Sequence, residues 1–458
     1  MDTTRSDGLV FFGATGDLAH KQIFPALQAL VKAGRLDMPI VAVGRGEIGL
    51  EAMAKKMKAS LDESGDASQF DRMKQQLRYV AVDYDDPTTF EGIKTALGGA
   101  QHPLAYVALP PETFEKVARN LAAVGLAKGG RLALEKPFGH DQASAKALTH
   151  ALHAYFPEEA IFRLDHFLGK EPVEGIVYFR AANPFIESAM DREHVESIQI
   201  TMAETFGVKG RARFYDSVGA MRDVVQNHML ELVACLTMDL PGKPGHSALQ
   251  KERSNLLAQI HTMNKKDLIR GQARGYLDED GVAKDSKTET FAALRLHIDS
   301  PRWDGVPIYI RAGKSLKVTA TEAIVTWKTA KRAVLDDAAK PARNHLRFRL
   351  GPDTAIAIGA NVKKGGEAMT GEAVELELQR TSKDTLKPYE RLIGDAIAGD
   401  ATLFARKDAV EQSWRVVDPV IGNVTPVHTY EPGSWGPEEA KALAPPTGWY
   451  DPAPKPAA

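Results

Sequence analysis

A chain of 458 residues, 43% of them hydrophobic, has material for two domains and a substantial core. A formal net charge of −2 argues against nucleic acid or an anionic membrane as the main partner, and no run approaches the ~20 apolar residues of a membrane span. The lone cysteine, Cys235, excludes an internal disulfide and fits a reducing cytoplasm, and the opening MDTTRSDG lacks the basic stretch of a leader, so an unprocessed soluble protein is expected.

In chain order, LVFF (9–12) predicts a short buried strand, and GATGDLAHKQIFPALQALV after it predicts a turn leading into a helix. Gly13 and Gly16 would let the backbone approach a pyrophosphate, with the first helical amides as donors. The spacing is GxxG rather than GxGxxG, which also fits a glycine-rich turn closing an ordinary βα unit. Asp17 reads as an N-cap, since a carboxylate beside a phosphate would repel it. PIVAV (39–43) predicts the second strand and ends in Gly44-Arg45, where an arginine favours a 2′-phosphate and hence NADP over NAD. Glu47, two residues on, moderates that preference by repelling the phosphate or pairing with Arg45. PLAYVAL and RLAL predict further strands, the second ending in Glu135, Lys136, Pro137, Phe138 and Gly139 at the edge where open α/β sheets bind ligands. Lys136-Pro137 is a candidate cis bond. With ETFEKVARNLAAVGL and DQASAKALTHALHAY as crossover helices, this half is a parallel sheet.

RLDHFLGKE (163–171) packs a carboxylate, an imidazole and an ammonium around a glycine. If helical, it presents His166 and Lys170 on one side as two cationic donors to one anion, such as a phosphate; otherwise it is a solvated charged turn. Beyond it, ESIQITMAE, TFAALRLHID, VPIYIRAG, EAIVTWK, HLRFRLG, TAIAIGANV and AVELELQR alternate with period two, predicting a large, mostly antiparallel sheet. Ile198, Ile200 and Met202 share a strand face that ends in Glu204, and Ile308, Ile310 and Ala312 one that ends in Lys314; a charge there is a pocket residue or a strand end reaching water. Between them RDVVQNHMLE lies on a helix whose stripe of Val218, Met221, Val225, Met229, Leu232 and Leu236 puts His228 on its margin, either as a satisfied core histidine or as a base. Asp223, five residues earlier, is about 140° around an α-helix and would flank His228 rather than share its face. Cys235 on the same helix reads as a buried, inert thiol. DLPGKPG (239–245) and NVKKGGEAMTG (361–371) read as loops. The proline- and alanine-rich tail at 445–458 reads as poorly ordered, with Trp449 and Tyr450 as docking candidates.

Taken together, GATGDLA, EKPFG, RLDHFLGKE and RDVVQNHMLE, with IYIRAGKSL and SWGP, resemble the signature segments of the glucose-6-phosphate dehydrogenase family over nearly the whole chain. The resemblance implies an α/β plus α+β architecture: a Rossmann-type dinucleotide-binding domain at 1–162 and a larger substrate-binding and oligomerisation domain with a mostly antiparallel sheet at 163–458. It implies oxidation of D-glucose 6-phosphate at C1 to 6-phosphogluconolactone by NADP, with NAD open as a second acceptor, in the oxidative pentose phosphate or Entner–Doudoroff route. It assigns His228 as proton acceptor and Asp165 as the carboxylate supporting it, a sound pairing because an imidazole titrates near neutral pH and a carboxylate raises its basicity. Lys136, His166, Lys170, Glu204, Asp223 and Lys314 fall to the substrate, with His166 and Lys170 on its phosphate. Gly13, Ala14, Thr15, Gly16, Asp17, Leu18, Arg45, Glu135 and Lys136 fall to the dinucleotide. No metal is implied; a homodimer or homotetramer of the cytoplasm is.

Three positions depart from the family pattern: Gln22 stands where a lysine is usual, Phe167 where a tyrosine is, and Thr319 where a lysine or arginine is. Lys21, Lys317 and Arg311 are candidates to compensate. The departures motivate a sister dehydrogenase acting on another sugar phosphate or an unphosphorylated aldose. A catalytically silent NADP-binding regulator would have no need of His228, Asp165 and Lys136 together.

Overall fold

The computed structural model describes residues 5–243, 245–329, 341–366, 370–378 and 386–454. The chain divides into two compact units: Met1–Glu171 with Pro241–Lys251 and Asp384–Glu411, and Pro172–Leu240 with Glu252–Lys383 and Gln412–Ala458.

In the first unit, strands β1 (Gly8–Phe12), β2 (Ile40–Gly44), β3 (Leu77–Ala81), β4 (Pro103–Val107), β5 (Arg131–Glu135) and β6 (Ile161–Leu164) form one sheet in the order β3-β2-β1-β4-β5-β6. Every pairing is parallel, as βα alternation requires. The apolar runs bury both faces. Leu9, Phe11, Ile40, Ala42, Leu104 and Tyr106 enter one core cluster, and their neighbours Val10, Phe12, Val41, Val43, Ala105 and Val107 enter the other, so helices must cover both sides. The helix Pro388–Ala398 belongs to this unit, adding Leu392, Ile393, Ala396 and Ile397 to the first cluster.

The second unit holds β7 (Val195–Ala203), β8 (Leu268–Ala273), β9 (Phe291–Leu296), β10 (Ile308–Gly313), β11 (Ala320–Trp327), β12 (His345–Gly351), β13 (Ala355–Lys363), β14 (Gly371–Leu378) and β15 (Val427–Tyr430). They form one sheet in the order β14-β13-β12-β11-β7-β10-β9-β8-β15. It is mostly antiparallel, as the alternating segments predict, but β7 with β10 and β8 with β15 are parallel. β8 and β15 are strands that the sequence pattern does not reveal.

Two expected irregular segments are more ordered than predicted. Asn361 to Lys363 continue β13, and Lys363 pairs with Gly371 at the start of β14, so much of the expected loop is a hairpin; residues 367–369 lie outside the described residues. The tail is anchored as far as it is described: Trp449 Nε1 donates to Ala440 O (3.1 Å), and Tyr450 N to Gln199 Oε1 (2.9 Å). Residues 455–458 lie outside the described residues, as does Pro244 in the 239–245 loop, which is otherwise irregular as read.

Trp303 shows how this unit's interior is held. Its ring is 1% exposed, and its indole N–H reaches the carbonyl of Thr237 at 2.7 Å. Trp303→Ala removes both the apolar volume and the partner of that carbonyl, and should destabilise the protein by ~3–5 kcal/mol. Denaturant unfolding would show this as an earlier midpoint, and an unchanged midpoint would contradict it.

Candidate functional site

In the first unit the residues expected to meet the dinucleotide lie at the carboxyl ends of the strands. β1 runs into Gly13 at φ 80°, and a Cβ there would stand 2.3 Å from the carbonyl oxygen of Ala108. Only glycine lets the turn pass so close to the neighbouring strand's end. Gly16 O accepts the first helical bond, from His20 N at 3.2 Å, and the helix begins at Asp17. Asp17 is therefore in the first turn and not the N-cap expected of it; its carboxylate is exposed and 3.9 Å from Lys21 Nζ. Ala14 is buried and bonds Val43 O at 3.4 Å, Thr15 is exposed, and Leu18 is half-buried in the first helical turn. The tight glycine turn and the open amides of a helix start fit a pyrophosphate.

Arg45 follows the last residue of β2 and is exposed, as is Glu47. The Tyr84 phenol lies within the field of Arg45: burial pushes its pKa up to about 12, and the guanidinium opposes that rise. Arg45 thus lies just past the carboxyl end of β2, within electrostatic reach of Tyr84.

Glu135 ends β5 and the Lys136-Pro137 bond is cis, as anticipated. Glu135 is buried and accepts a hydrogen bond from Tyr106 Oη. Burial raises its pKa from 4.5 to about 7; the Tyr106 bond, the Lys136 charge and a Tyr389 bond oppose the rise, and the Asp165 carboxylate adds to it. Glu135, Lys136 and Asp165 thus share one electrostatic neighbourhood. Asp165 Oδ1 accepts Phe167 N at 2.9 Å, and Leu168 N and Lys170 N bond Asp165 O and Phe167 O at 3.0 and 3.1 Å. Segment 165–169 is therefore a turn and not a helix, because the buried carboxylate claims the backbone amide at 167. His166 stacks on Tyr389, with ring centroids 6.3 Å apart and planes 15° apart. Lys170 Nζ lies 4.8 Å from the centroid of the Phe167 ring.

In the second unit the parallel register of β10 on β7 sets Gly313 opposite Ala203, so Lys314 and Glu204, one residue beyond, emerge side by side and form an ion pair. Lys314 Nζ also lies 5.2 Å from the Phe206 ring centroid and 5.7 Å from that of Tyr215. Tyr215 is buried, and its phenol is held neutral far above its usual range, first by burial and then by the charges of Asp223, Glu289, Tyr430 and Glu204. Glu204, Asp223 and Lys314 thus share the electrostatic surroundings of Tyr215.

The helical stretch bearing His228 breaks at Gly219 (φ 65°), where a Cβ would stand 2.4 Å from Glu289 Oε1. That oxygen accepts Met221 N at 3.0 Å, and Met221–Met229 then winds as a π-helix. A ladder of i→i+5 bonds puts residues five apart on the same turn. Asp223 and the buried His228 are thus closer in angle around the helix than the α-helical spacing predicts.

The departures have local partners. Thr319 Oγ1 accepts Thr205 N at 3.1 Å and bonds Thr205 Oγ1 at 2.9 Å. Phe167 is fully buried, and Gln22 is exposed. Of the candidate compensating cations, Lys21 and Lys317 are exposed. Arg311 is not available: it is buried and donates to Thr201 Oγ1 (3.0 Å), Tyr450 O (2.8 Å) and Asp451 Oδ1 (2.6 Å), between Trp435 and Trp449. Tyr106, Tyr215 and Tyr389 are site residues that sequence reasoning missed; only Tyr389, just after the proline that opens its helix, had a local signal.

Residues 10–175 match the glucose-6-phosphate dehydrogenase NAD binding domain, and residues 177–450 match the glucose-6-phosphate dehydrogenase C-terminal domain. The chain belongs to the glucose-6-phosphate dehydrogenase family. Glucose-6-phosphate 1-dehydrogenase 1 of Mycobacterium tuberculosis is 39% identical over 441 residues, 96% of this chain and 94% of that protein. Glucose-6-phosphate 1-dehydrogenase of Bacillus subtilis is 35% identical over 471 residues, 95% of this chain and 96% of that protein. The crystal structure of glucose-6-phosphate 1-dehydrogenase from Mycobacterium avium superposes with a TM-score of 0.92 at 40% identity, covering 98% of this chain and 99% of that one. A glucose-6-phosphate dehydrogenase solved with its substrate glucose 6-phosphate gives a TM-score of 0.90 at 31% identity, covering 98% and 100%. The first family match contains GATGDLA, EKPFG and RLDHFLGKE, and the second contains RDVVQNHMLE.

Glu135 makes a pH-dependent contribution to folding. Between pH 4.5 and about 7 it holds a proton in the fold that it has released in the unfolded chain. Stability should therefore fall as pH rises across that window. Glu135→Gln should flatten the fall by ~3 kcal/mol; unfolding midpoints of both proteins at pH 5 and about pH 8 would read it, and parallel pH curves would refute it.

Proposed function

We propose that the chain is a glucose-6-phosphate dehydrogenase, oxidising D-glucose 6-phosphate at C1 to 6-phosphogluconolactone with reduction of NADP. The observation that carries this is full-length similarity to glucose-6-phosphate dehydrogenases, one of them solved with that substrate, in a chain that keeps Asp165, His166, Lys170 and His228. The turn from Gly13 through Leu18 would hold the pyrophosphate, Arg45 the 2′-phosphate, and Glu135 and Lys136 the nicotinamide end. When bound, the nicotinamide accepts the hydride that leaves C1.

His228 takes the proton of the C1 hydroxyl, and Asp165 is the carboxylate that supports the resulting imidazolium. His166 and Lys170 hold the phosphate through charged hydrogen bonds. Lys136, Glu204, Asp223 and Lys314 position the sugar; the Glu204–Lys314 pair offers an acceptor and a donor side by side, suited to adjacent hydroxyls. Dinucleotide binding falls to 1–162, and substrate binding and oligomerisation to 163–458. The reading includes a homodimer or homotetramer. The reading includes a cytoplasmic setting, which a lone cysteine fits. The second reading, another aldose or sugar phosphate, draws on Gln22, Phe167 and Thr319, which lack the two cations and one hydroxyl usual at those positions.

His228→Asn should keep substrate binding and lower turnover by ~10²-fold or more, the usual contribution of a general base; near-normal turnover would remove His228 from the mechanism. Arg45→Ala should raise the KM for NADP and leave that for NAD almost unchanged, whereas equal losses would mean that Arg45 does not read the 2′-phosphate. Lys170→Ala should cost roughly 2–3 kcal/mol in kcat/KM for glucose 6-phosphate and almost nothing for glucose. A wild type that already prefers glucose, with a ratio insensitive to Lys170, would favour the second reading. NADPH formation followed by absorbance across glucose 6-phosphate, glucose and related phosphates decides between them.

A further inference from the structure

At the opposite edge of the first unit's sheet lies a cavity of about 780 Å³, within the range of small-molecule sites. Its position follows from its lining: His102 immediately precedes β4, Arg131 opens β5, and Ile161 opens β6. These are the amino ends of the strands, whereas Gly13, Arg45 and Lys136 follow carboxyl ends. Arg131 and Glu135 are the two ends of one five-residue strand, roughly 13 Å apart at the usual rise. A ligand here and a dinucleotide at the other edge can therefore be bound at once.

The outer wall is made by the stretch that follows the helix Pro388–Ala398. Ala405 N bonds Arg163 O at 3.1 Å, laying this stretch along the free side of edge strand β6, and Phe404 is 1% exposed beneath it. Gln250 Nε2 donates to Phe404 O at 3.2 Å and fixes the same stretch from another side. The cavity is thus framed by backbone and side-chain bonds rather than left by loose packing.

Its chemistry is two-sided. Tyr155, Ile161 and Phe404 give an apolar, partly aromatic wall, while Lys128, Arg131 and Arg406 bring three cations to it. Of the two carboxylates at the wall, Glu158 is balanced by Arg163, whose two terminal nitrogens donate to it at 2.8 and 3.1 Å, and it also meets His153 at 2.9 Å. Glu159 is exposed. We propose that this cavity is a second ligand site, taking a small organic anion with a flat apolar body, separate from the dinucleotide and sugar sites. The apolar wall would take the body, and Lys128, exposed at the rim, would meet the anionic group.

The test uses the full chain and anilinonaphthalene sulfonate, whose fluorescence reports binding, beside neutral phenylnaphthylamine, which has the same body without the anion. The sulfonate should bind at one site per chain, about tenfold more tightly than the neutral dye, the scale of one charged hydrogen bond. Saturating NADP should not displace it. Lys128→Glu, at an exposed position, should weaken it about tenfold or more, and Ala160→Trp, which fills the cavity, should abolish it; unchanged thermal unfolding midpoints would show that both variants fold. Absence of binding, equal affinity for the two dyes, displacement by NADP, or binding indifferent to both variants would each overturn the proposal.

Discussion

Two carboxylates at neighbouring strand ends, with almost no water to solvate them, constrain the first unit more than any other feature. Glu135 closes β5 in register with Leu164 of β6, and Asp165 is the next residue along, so parallel pairing forces the two close together. Both are buried, and a buried carboxylate is tolerated only when protonated, paired or well bonded. The fold uses different solutions for each. Glu135 receives the Tyr106 hydroxyl from the adjacent strand β4 and is held near neutrality by desolvation. Asp165 takes the Phe167 amide, which bends the chain out of the sheet into the turn carrying His166 and Lys170. The electrostatics of the strand ends thus fix the backbone of the proposed phosphate clamp, and Tyr389 ties the two together by stacking on His166 and bonding toward Glu135.

The second unit meets a related problem with an arginine partner and a glycine break in a helix. Glu289, also buried, stands against Arg270 at 3.2 Å and accepts Met221 N. Its oxygen occupies the space a side chain at 219 would need, so a glycine in the left-handed region is required and the helix restarts one residue later. The π-helical winding that follows brings Asp223 toward the turn of His228, while the β7–β10 register delivers Glu204 and Lys314 to Tyr215. The mechanism proposed for this chain needs a base and several hydroxyl partners, and the residues proposed for those roles are placed by one helical irregularity and one strand pairing.

The architecture was legible wherever side-chain period reports burial. The first sheet's strands are apolar on both faces, and the second sheet's segments were found by their period-two sequence pattern, although only β13 alternates in burial along most of its length while β10 is buried throughout and β14 is mostly exposed. β8 escaped because buried Arg270 and Gly271 interrupt its pattern; the arginine is made tolerable by Glu289, Gly422 O and Thr425 O, far away in sequence, and the glycine by Pro437, whose Cδ would lie 2.9 Å from a Cβ there. β15, only four residues long, carries His428 beside Glu439 and offers no apolar alternation. The site was legible as chemistry but not as geometry. The residues of RLDHFLGKE announce an anion clamp, yet whether they coil or turn depends on a carboxylate bonding an amide two residues on, and the π-helix depends on a partner from another element. Tyr106 and Tyr215 were invisible for the same reason: each is an ordinary core aromatic until the charged neighbours it meets are known.

The departure at Phe167 can be weighed from these contacts. Its ring is 0% exposed, and a hydroxyl placed there would need a buried partner or cost about 1–3 kcal/mol; phenylalanine instead gives the turn an apolar floor. Lys170 rests its ammonium above that ring at 4.8 Å, a cation–π contact worth ~0.5–2 kcal/mol depending on how far water is excluded. A phosphate oxygen offers the same ammonium a charged hydrogen bond of ~1.5–3 kcal/mol, generally the stronger interaction. The ring therefore holds Lys170 in place without competing it away from an anion. What the chain gives up relative to a tyrosine is one neutral donor, about 0.5–1.5 kcal/mol, which is smaller than either cationic contact it keeps. By that comparison the proposed clamp of His166 and Lys170 would be weakened at this position and not dismantled, and the larger differences from the family pattern lie at Gln22 and Thr319, where the usual cations are replaced.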